Sequence, residues 1–255
     1  MIIKYLIISS RPKQWIKNLL VFIAPFLSYD SNTNIFINSL ISFFCFCLIS
    51  SSVYLLNDVL DFKKDKLHPV KKLRPIASGK LSKNIALKFS IFILLISFLL
   101  GSLASYKLLM ILTFYVLIQI SYCTVLKEKP ILDIFCIASG FLLRAISGGV
   151  SNNILISPWF VLSIGLLALF LAIEKRKAEL RYFLNGGNET RKVLKRYTLP
   201  MLLRMENIVS TSTFVSYSLW AVGPQLNGAN SKWMILTIPF VLIGLFRYQL
   251  ISDPN

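Results

Sequence analysis

Long apolar runs alternate along this chain with short, polar, lysine-rich gaps. An α-helix rises 1.5 Å per residue, so about 20 apolar residues cross a hydrocarbon core. By that measure the pattern predicts spans at about 16–29, 35–57, 84–105, 108–126, 131–149, 157–173, 205–222 and 232–248. The first is short and contains Pro25. The expectation is therefore an all-α, polytopic membrane helical bundle with eight crossings, read as a single domain over 1–255. Residues 1–10 are only weakly apolar, contain Lys4 and lead to no small-residue cleavage site, so no removable signal peptide is expected.

Composition places the chain in the same class: 55% of its residues are hydrophobic and 15% charged. The net charge of +17 would suggest a nucleic-acid partner in a soluble protein. Here the cations cluster instead in alternate gaps. Eight Lys and Arg lie in 63–83, two in 127–129 and nine in 175–204, whereas 30–34 and 150–156 have none. That asymmetry is the positive-inside rule for an even number of crossings, and it predicts cytoplasmic termini. Membrane lipid and an anionic substrate are thus the expected partners, with no nucleic acid. Trp15 among Arg11, Lys13 and Lys17 suits a helix start at headgroup depth. Cys45, Cys47, Cys123 and Cys136 lie in or beside apolar runs without zinc-like spacing and read as small buried hydrophobes. His68 is the only histidine, which excludes a histidine-built metal site or triad. Phosphate or carboxylate chemistry remains.

The polar stretch Asn57–Ser82, NDVLDFKKDKLHPVKKLRPIASGKLS, holds three of the eleven acids. If the preceding helix continues into it, a turn of about 100° per residue puts Asn57, Asp58, Asp61 and Asp65 within roughly a quarter of the circumference. Lys63 and Lys64 then point elsewhere. Aligned carboxylates repel unless a cation sits among them, and hard oxygen donors favour Mg2+ that also holds phosphate oxygens. This face reads as a metal-diphosphate clamp. A charged topological loop would explain the lysines but requires no aligned acids. Tyr122, Lys127 and Asp133 bracket the next basic gap, and Arg144, eleven residues after Asp133, falls on nearly the same helix face. An arginine inside a span marks a polar cavity or reaches for an interface. In EKRKAELR, Glu174–Arg181, the spacing allows Lys175 to pair with Glu179 and Glu174 with Lys177.

NDVLDFKKD followed by RPIASG resembles the first aspartate-rich motif of the UbiA-type intramembrane prenyltransferase superfamily. RPKQWIKNLLVFIAP, YCTVLKEKPILDIFCIASGFLLRAISGG, EKRKAEL and RKVLKRYT resemble one branch of it, the decaprenyl-phosphate phosphoribosyltransferases (decaprenyl-phosphoryl 5-phosphoribose synthases). The resemblance runs from about residue 10 to Tyr248. It implies about nine helices around a cytoplasm-facing cavity in a bacterial inner membrane, and leaves room for a homo-oligomer. It also implies transfer of 5-phosphoribosyl from phosphoribosyl diphosphate to a polyprenyl phosphate, with Mg2+ as cofactor, for cell-wall precursor synthesis.

On this reading Asp58, Asp61 and Asp65 are catalytic and hold the metal with Asn57. Lys17, Asn18, Arg74, Tyr122, Lys127, Asp133, Arg144, Lys175, Arg176 and Glu179 bind substrate. Where relatives using prenyl diphosphates carry a second aspartate-rich motif, this chain reads EKRKAEL, and the added cations suit a donor with an extra 5-phosphate. One alternative is transfer of a prenyl diphosphate chain to an aromatic acceptor. Another is a transporter using Asp133 and Arg144, which inverted repeats would favour and the sequence does not show. The chain stops at Asn255, where the family continues into a further span, so the last family helix is expected to be missing. Abundant Ile, Lys and Asn point to an AT-rich genome, and the acceptor need not have ten prenyl units.

Overall fold

The computed structural model describes residues 2–28, 32–187, 191–224, 228–229 and 231–253, and among them no strand forms. The apolar runs become α1 (Ile2–Ser10), α2 (Ile23–Leu27), α3 (Thr33–Leu60), α5 (Lys83–Ala104), α6 (Tyr106–Thr124), α7 (Leu132–Ser151), α8 (Pro158–Leu184), α9 (Leu199–Val222) and α10 (Ile238–Ser252). The short α4 (Phe62–Leu67) lies in the polar stretch after α3.

Local chemistry sets the helix starts. The side chains of Asn32, Ser82 and Thr198 accept the backbone N–H groups of Asn34, Ile85 and Met201 at 3.0, 3.2 and 3.3 Å, which satisfies donors that the first helical turn leaves open. Pro158 opens α8 at a position where a missing N–H is harmless.

Among the described residues, six helical stretches are long and apolar enough to cross a membrane: Thr33–Leu60, Lys83–Ala104, Tyr106–Thr124, Leu132–Ser151, Pro158–Leu184 and Lys232–Ser252. The run expected at 16–29 has another form. Pro12–Phe22 is a 3-10 helix that passes into the five-residue α2, which contains Pro25, so no long α-helix forms here. The run expected at 205–222 lies within α9, whose first half carries Arg204 and Glu206 and is too polar to count by composition.

The chain divides into two compact units. One comprises Met1–Phe26, Asp30–Thr124 and Ser147–Ile154, and the other Leu27–Tyr29, Val125–Ile146 and Leu155–Asn255. In the first, α3 packs along α5 through small residues: Ser52 and Ser90 hydroxyls meet at 3.0 Å, and Ser97 donates to the Cys45 carbonyl at 3.0 Å. Small polar residues of this kind let helix backbones approach closely in lipid. Leu55, Ile76, Leu81, Ala86 and Ile93 form its buried cluster, which seats the loop after α4 against the helix pair. Gly148 lies so close to the Val21 carbonyl that a Cβ there would collide with it. In the second unit α8 packs along α9, and Ile134, Ile173, Leu180, Leu194 and Leu202 enclose the polar end of α8.

Candidate active site

Each unit carries a cluster of ionised side chains. In the first, α3 stops at Leu60 and α4 starts at Phe62, with Asp61 as the turn between them at φ −86° and ψ 5°. The four polar residues therefore do not share one continuous helix face. Asp58 and Asp65 are brought together by tertiary contact. Arg74 Nη1 donates to Asp58 Oδ1 at 3.0 Å and to Asp65 Oδ2 at 2.7 Å, while Arg11 Nη2 donates to Asp58 Oδ1 at 2.5 Å. Both acids are buried. Arg74 is held extended, at ψ 143°, as a residue before proline prefers. Arg11 stands at φ 53°, an uncommon conformation for a side-chain-bearing residue, and its guanidinium lies 4.8 Å from the Tyr54 ring centroid. Asn57 and Asp61 are half-buried and Asn57 hydrogen-bonds Asp58, whereas Lys63 and Lys64 are exposed.

The 3-10 segment places Asn18 in the protein interior, where its amide donates to Cys47 Sγ at 3.2 Å, and leaves Lys17 half-buried. Trp15 donates to Ser51 Oγ at 3.0 Å. Tyr122 is half-buried near the end of α6. His68 Nδ1 accepts the N–H groups of Val70 and Lys71 at 3.2 and 3.3 Å, which closes the turn after α4. Desolvation and then the Lys71 charge lower the His68 pKa, with smaller opposing and reinforcing effects from Asp65 and Arg74.

In the second unit Asp133 lies in the first turn of α7, where the helix dipole favours a carboxylate. Its Oδ2 accepts from Arg176 Nε at 2.5 Å and its Oδ1 from the Tyr197 hydroxyl at 2.6 Å. Tyr197 accepts the Ile131 N–H at 2.6 Å, and Ile131 stands at φ 69°, a strained position for a β-branched residue. Burial, and then the bond to Asp133, push the Tyr197 phenol above its ordinary pKa. Arg176 Nη1 also donates to Glu179 Oε2 at 2.6 Å, and Arg191 approaches the same oxygen at 3.5 Å. Lys175 is exposed, Lys127 is half-buried, and Arg144 is buried with Nη1 donating to the Gly140 carbonyl at 2.5 Å.

A further buried network follows on α8. Lys177 pairs with Glu174 at 2.7 Å, with Glu206 and, at 3.5 Å, with Asp253; Arg181 pairs with Asp253 and donates to the Ser252 carbonyl at 2.9 Å. Gln249 donates to Glu206 at 2.7 Å, and Ser252 donates to Glu174. Arg11, Arg181 and Tyr197 appeared in the sequence only within a basic helix start and two of the motifs, and Glu206 and Asp253 were not named, yet all five are members of these clusters. Glu206, a charge at the edge of an apolar run, offered a local signal that was not used.

The donor set suits a hard cation. Two carboxylate oxygens already converge on one cationic nitrogen of Arg74. Among the described residues no three His, Cys, Asp or Glu side chains gather closely enough to cage an ion by themselves. Such an open arrangement is what Mg2+ uses when phosphate oxygens complete its shell, since it is usually held by only one or two carboxylates.

Comparison with known proteins agrees with this architecture. The model of the UbiA prenyltransferase family matches residues 19–255. The decaprenyl-phosphate phosphoribosyltransferase of Mycolicibacterium smegmatis is 36% identical across 97% of this chain and 82% of its own length. That of Mycobacterium tuberculosis is 33% identical, across 95% of this chain and 82% of its own. Among solved structures, a UbiA homologue from Archaeoglobus fulgidus bound to GPP and Mg2+ superposes with a TM-score of 0.77 at 16% identity, covering 97% of this chain and 86% of that one. The likeness is one of fold.

Proposed function

The chain belongs to the UbiA prenyltransferase family, and on that premise we propose that this multi-pass membrane protein transfers a 5-phosphoribosyl group from phosphoribosyl diphosphate to a polyprenyl phosphate, releasing diphosphate. The observation that carries this reading is the 36% identity to a decaprenyl-phosphate phosphoribosyltransferase over 97% of the chain. Related structures with bound Mg2+ support a divalent cofactor. When bound, that ion would neutralise the leaving diphosphate.

The chain's own residues supply the rest. Asp58 and Asp65 would hold the ion, with Asn57 orienting Asp58 and Asp61 at the turn beside them. Arg74 and Arg11, which compensate the two acids in this structure, would bind phosphate oxygens of the donor. Lys17 and Lys127 are further phosphate contacts. On α8, the exposed Lys175 is assigned to the donor's 5-phosphate, while Arg176, tied to Asp133 and Glu179, fixes the end of the helix. The acceptor phosphate is ionised at neutral pH and needs no general base, so the reaction depends on positioning and on electrostatic stabilisation of an oxocarbenium-like C1. The reaction is assigned to the cytoplasmic face of a bacterial inner membrane, for cell-wall precursor synthesis.

Purified protein given labelled phosphoribosyl diphosphate, Mg2+ and polyprenyl phosphate should form a labelled lipid-soluble product. Consumption of a prenyl diphosphate with an aromatic acid, and no product from phosphoribosyl diphosphate, would overturn the assignment.

A further inference from the structure

The segment that carries the acid pair has a second, outward-facing surface. It leaves one membrane-spanning helix at Leu60 and enters the next at Lys83, so by chain continuity it lies at the membrane surface. Inward, Asp65 is buried against Arg74. Outward, Leu67, Val70 and Leu73, spaced three residues apart, are 89%, 70% and 73% exposed. Lys63, Lys64, Lys66 and Lys72 are exposed around them. The ammonium groups of Lys66 and Lys83 lie 4.7 and 3.7 Å from the centroid of the Phe62 ring, which puts an aromatic and two cations at one level.

Three exposed aliphatic side chains are unfavourable in water. A protein partner would have to answer the lysines with acids. A second copy of this chain is poorly suited, because it carries +17 and has many of its eleven acids committed to internal ion pairs. Between Asp65 and Lys83 there is no acid at all. Apolar side chains interleaved with lysines, fixed by their ends to a bilayer, match an anionic lipid surface.

We propose that Phe62–Leu73 is a membrane-surface foot, in which Leu67, Val70 and Leu73 enter the headgroup layer of an anionic leaflet while the surrounding lysines bind lipid phosphates. Asp65 and Leu67 share α4, so seating the foot also fixes the position of one half of the acid pair. The inference rests on the membrane-spanning architecture and is independent of the proposed reaction.

The test is a single Val70→Cys substitution labelled with a polarity-sensitive fluorophore. The four native cysteines are buried, so the label is directed to the new site. The protein is reconstituted in bilayers of phosphatidylcholine alone or mixed with phosphatidylglycerol. The expected result is quenching by lipids spin-labelled near the headgroup, protection from aqueous iodide, and an increase in both with phosphatidylglycerol. Lys66→Gln and Lys72→Gln should each lower the ratio of inserted to exposed probe by roughly fivefold in the anionic bilayer. A probe equally open to iodide in both bilayers would overturn the proposal, as would one shielded through cross-linking to a second copy without contact with spin-labelled lipid. If Val70→Cys does not yield folded protein, Leu67→Cys and Leu73→Cys give the same readout. Neither measurement uses substrate, so failure of the foot and failure of the enzyme assignment are separately visible.

Discussion

Tyr197 joins a strained backbone to a buried charge. Its hydroxyl donates to Asp133 and accepts from the N–H of Ile131, the residue at φ 69°. Tyr197→Phe removes both partners at once and should destabilise the protein by about 1–3 kcal/mol. Thermal unfolding in detergent would show this, with exposed Tyr182→Phe as the control that should not shift. Because the phenol's folded pKa is raised, its contribution is complete below the ordinary tyrosine value near 10 and is lost as pH rises above it. His68 behaves oppositely. Its folded pKa is lowered, so its contribution is full above about 6.5 and fades as pH falls below that value, when protonated Nδ1 can no longer accept from Val70 and Lys71. Protection of those two amides from hydrogen exchange, taken relative to the intrinsic rate at each pH, should fall below that pH, and protection that does not change with pH would contradict the assignment. Of these contacts the sequence revealed only the acids and the lone histidine. Arg11 reaches Asp58 from 47 residues away, and a pair that distant leaves no local periodicity to read.

Among the helices, α8 carries the largest share of buried charge. Arg176 and Lys177 are both fully buried, yet each has acidic partners. Lys177→Met leaves Glu174 and Glu206 facing each other without their cation, and a cost of about 3–5 kcal/mol is expected. Lys175→Ala, on the exposed side of the same turn, should leave folding intact and weaken donor binding about ten- to a hundredfold, as loss of a charge-assisted phosphate contact would. Equal thermal midpoints for Lys177→Met and the unmodified protein, or unchanged donor affinity for Lys175→Ala, would refute the respective role. In the first unit, Asp58→Asn should reduce turnover by orders of magnitude, because it removes charge from the acid pair while keeping its shape. Near-normal turnover would remove that pair from the mechanism. Element type was legible in the apolar runs, but the break at Asp61 was not. It follows from the loop after α4 being seated against α3 and α5 through Ile76 and Leu81, a tertiary contact that helical periodicity does not record.

At the scale of the whole molecule, the alternation of apolar runs and basic gaps gave the fold class directly, because a bilayer admits few architectures that satisfy the backbone. It was weakest where runs were short or charged, at 16–29 and 205–222. Crossing parity predicts that 63–83, 127–129 and 185–198 share one side of the membrane. Single-cysteine labelling with an impermeant reagent would check this, and opposite sides for any two would refute it. The network around Lys177 also bears on how the protein is made. Glu174 and Lys177 lie on α8, but Ser252, which donates to Glu174, is 78 residues later in the chain, and Asp253 follows it. During synthesis, then, α8 forms before the end of α10 exists, and Glu174 and Lys177 at its polar end lack Ser252 and Asp253 until then. A chain halted before Gln249 therefore leaves Glu174 and Glu206 without Ser252 and Gln249, and is expected to be cleared faster than one that carries α10.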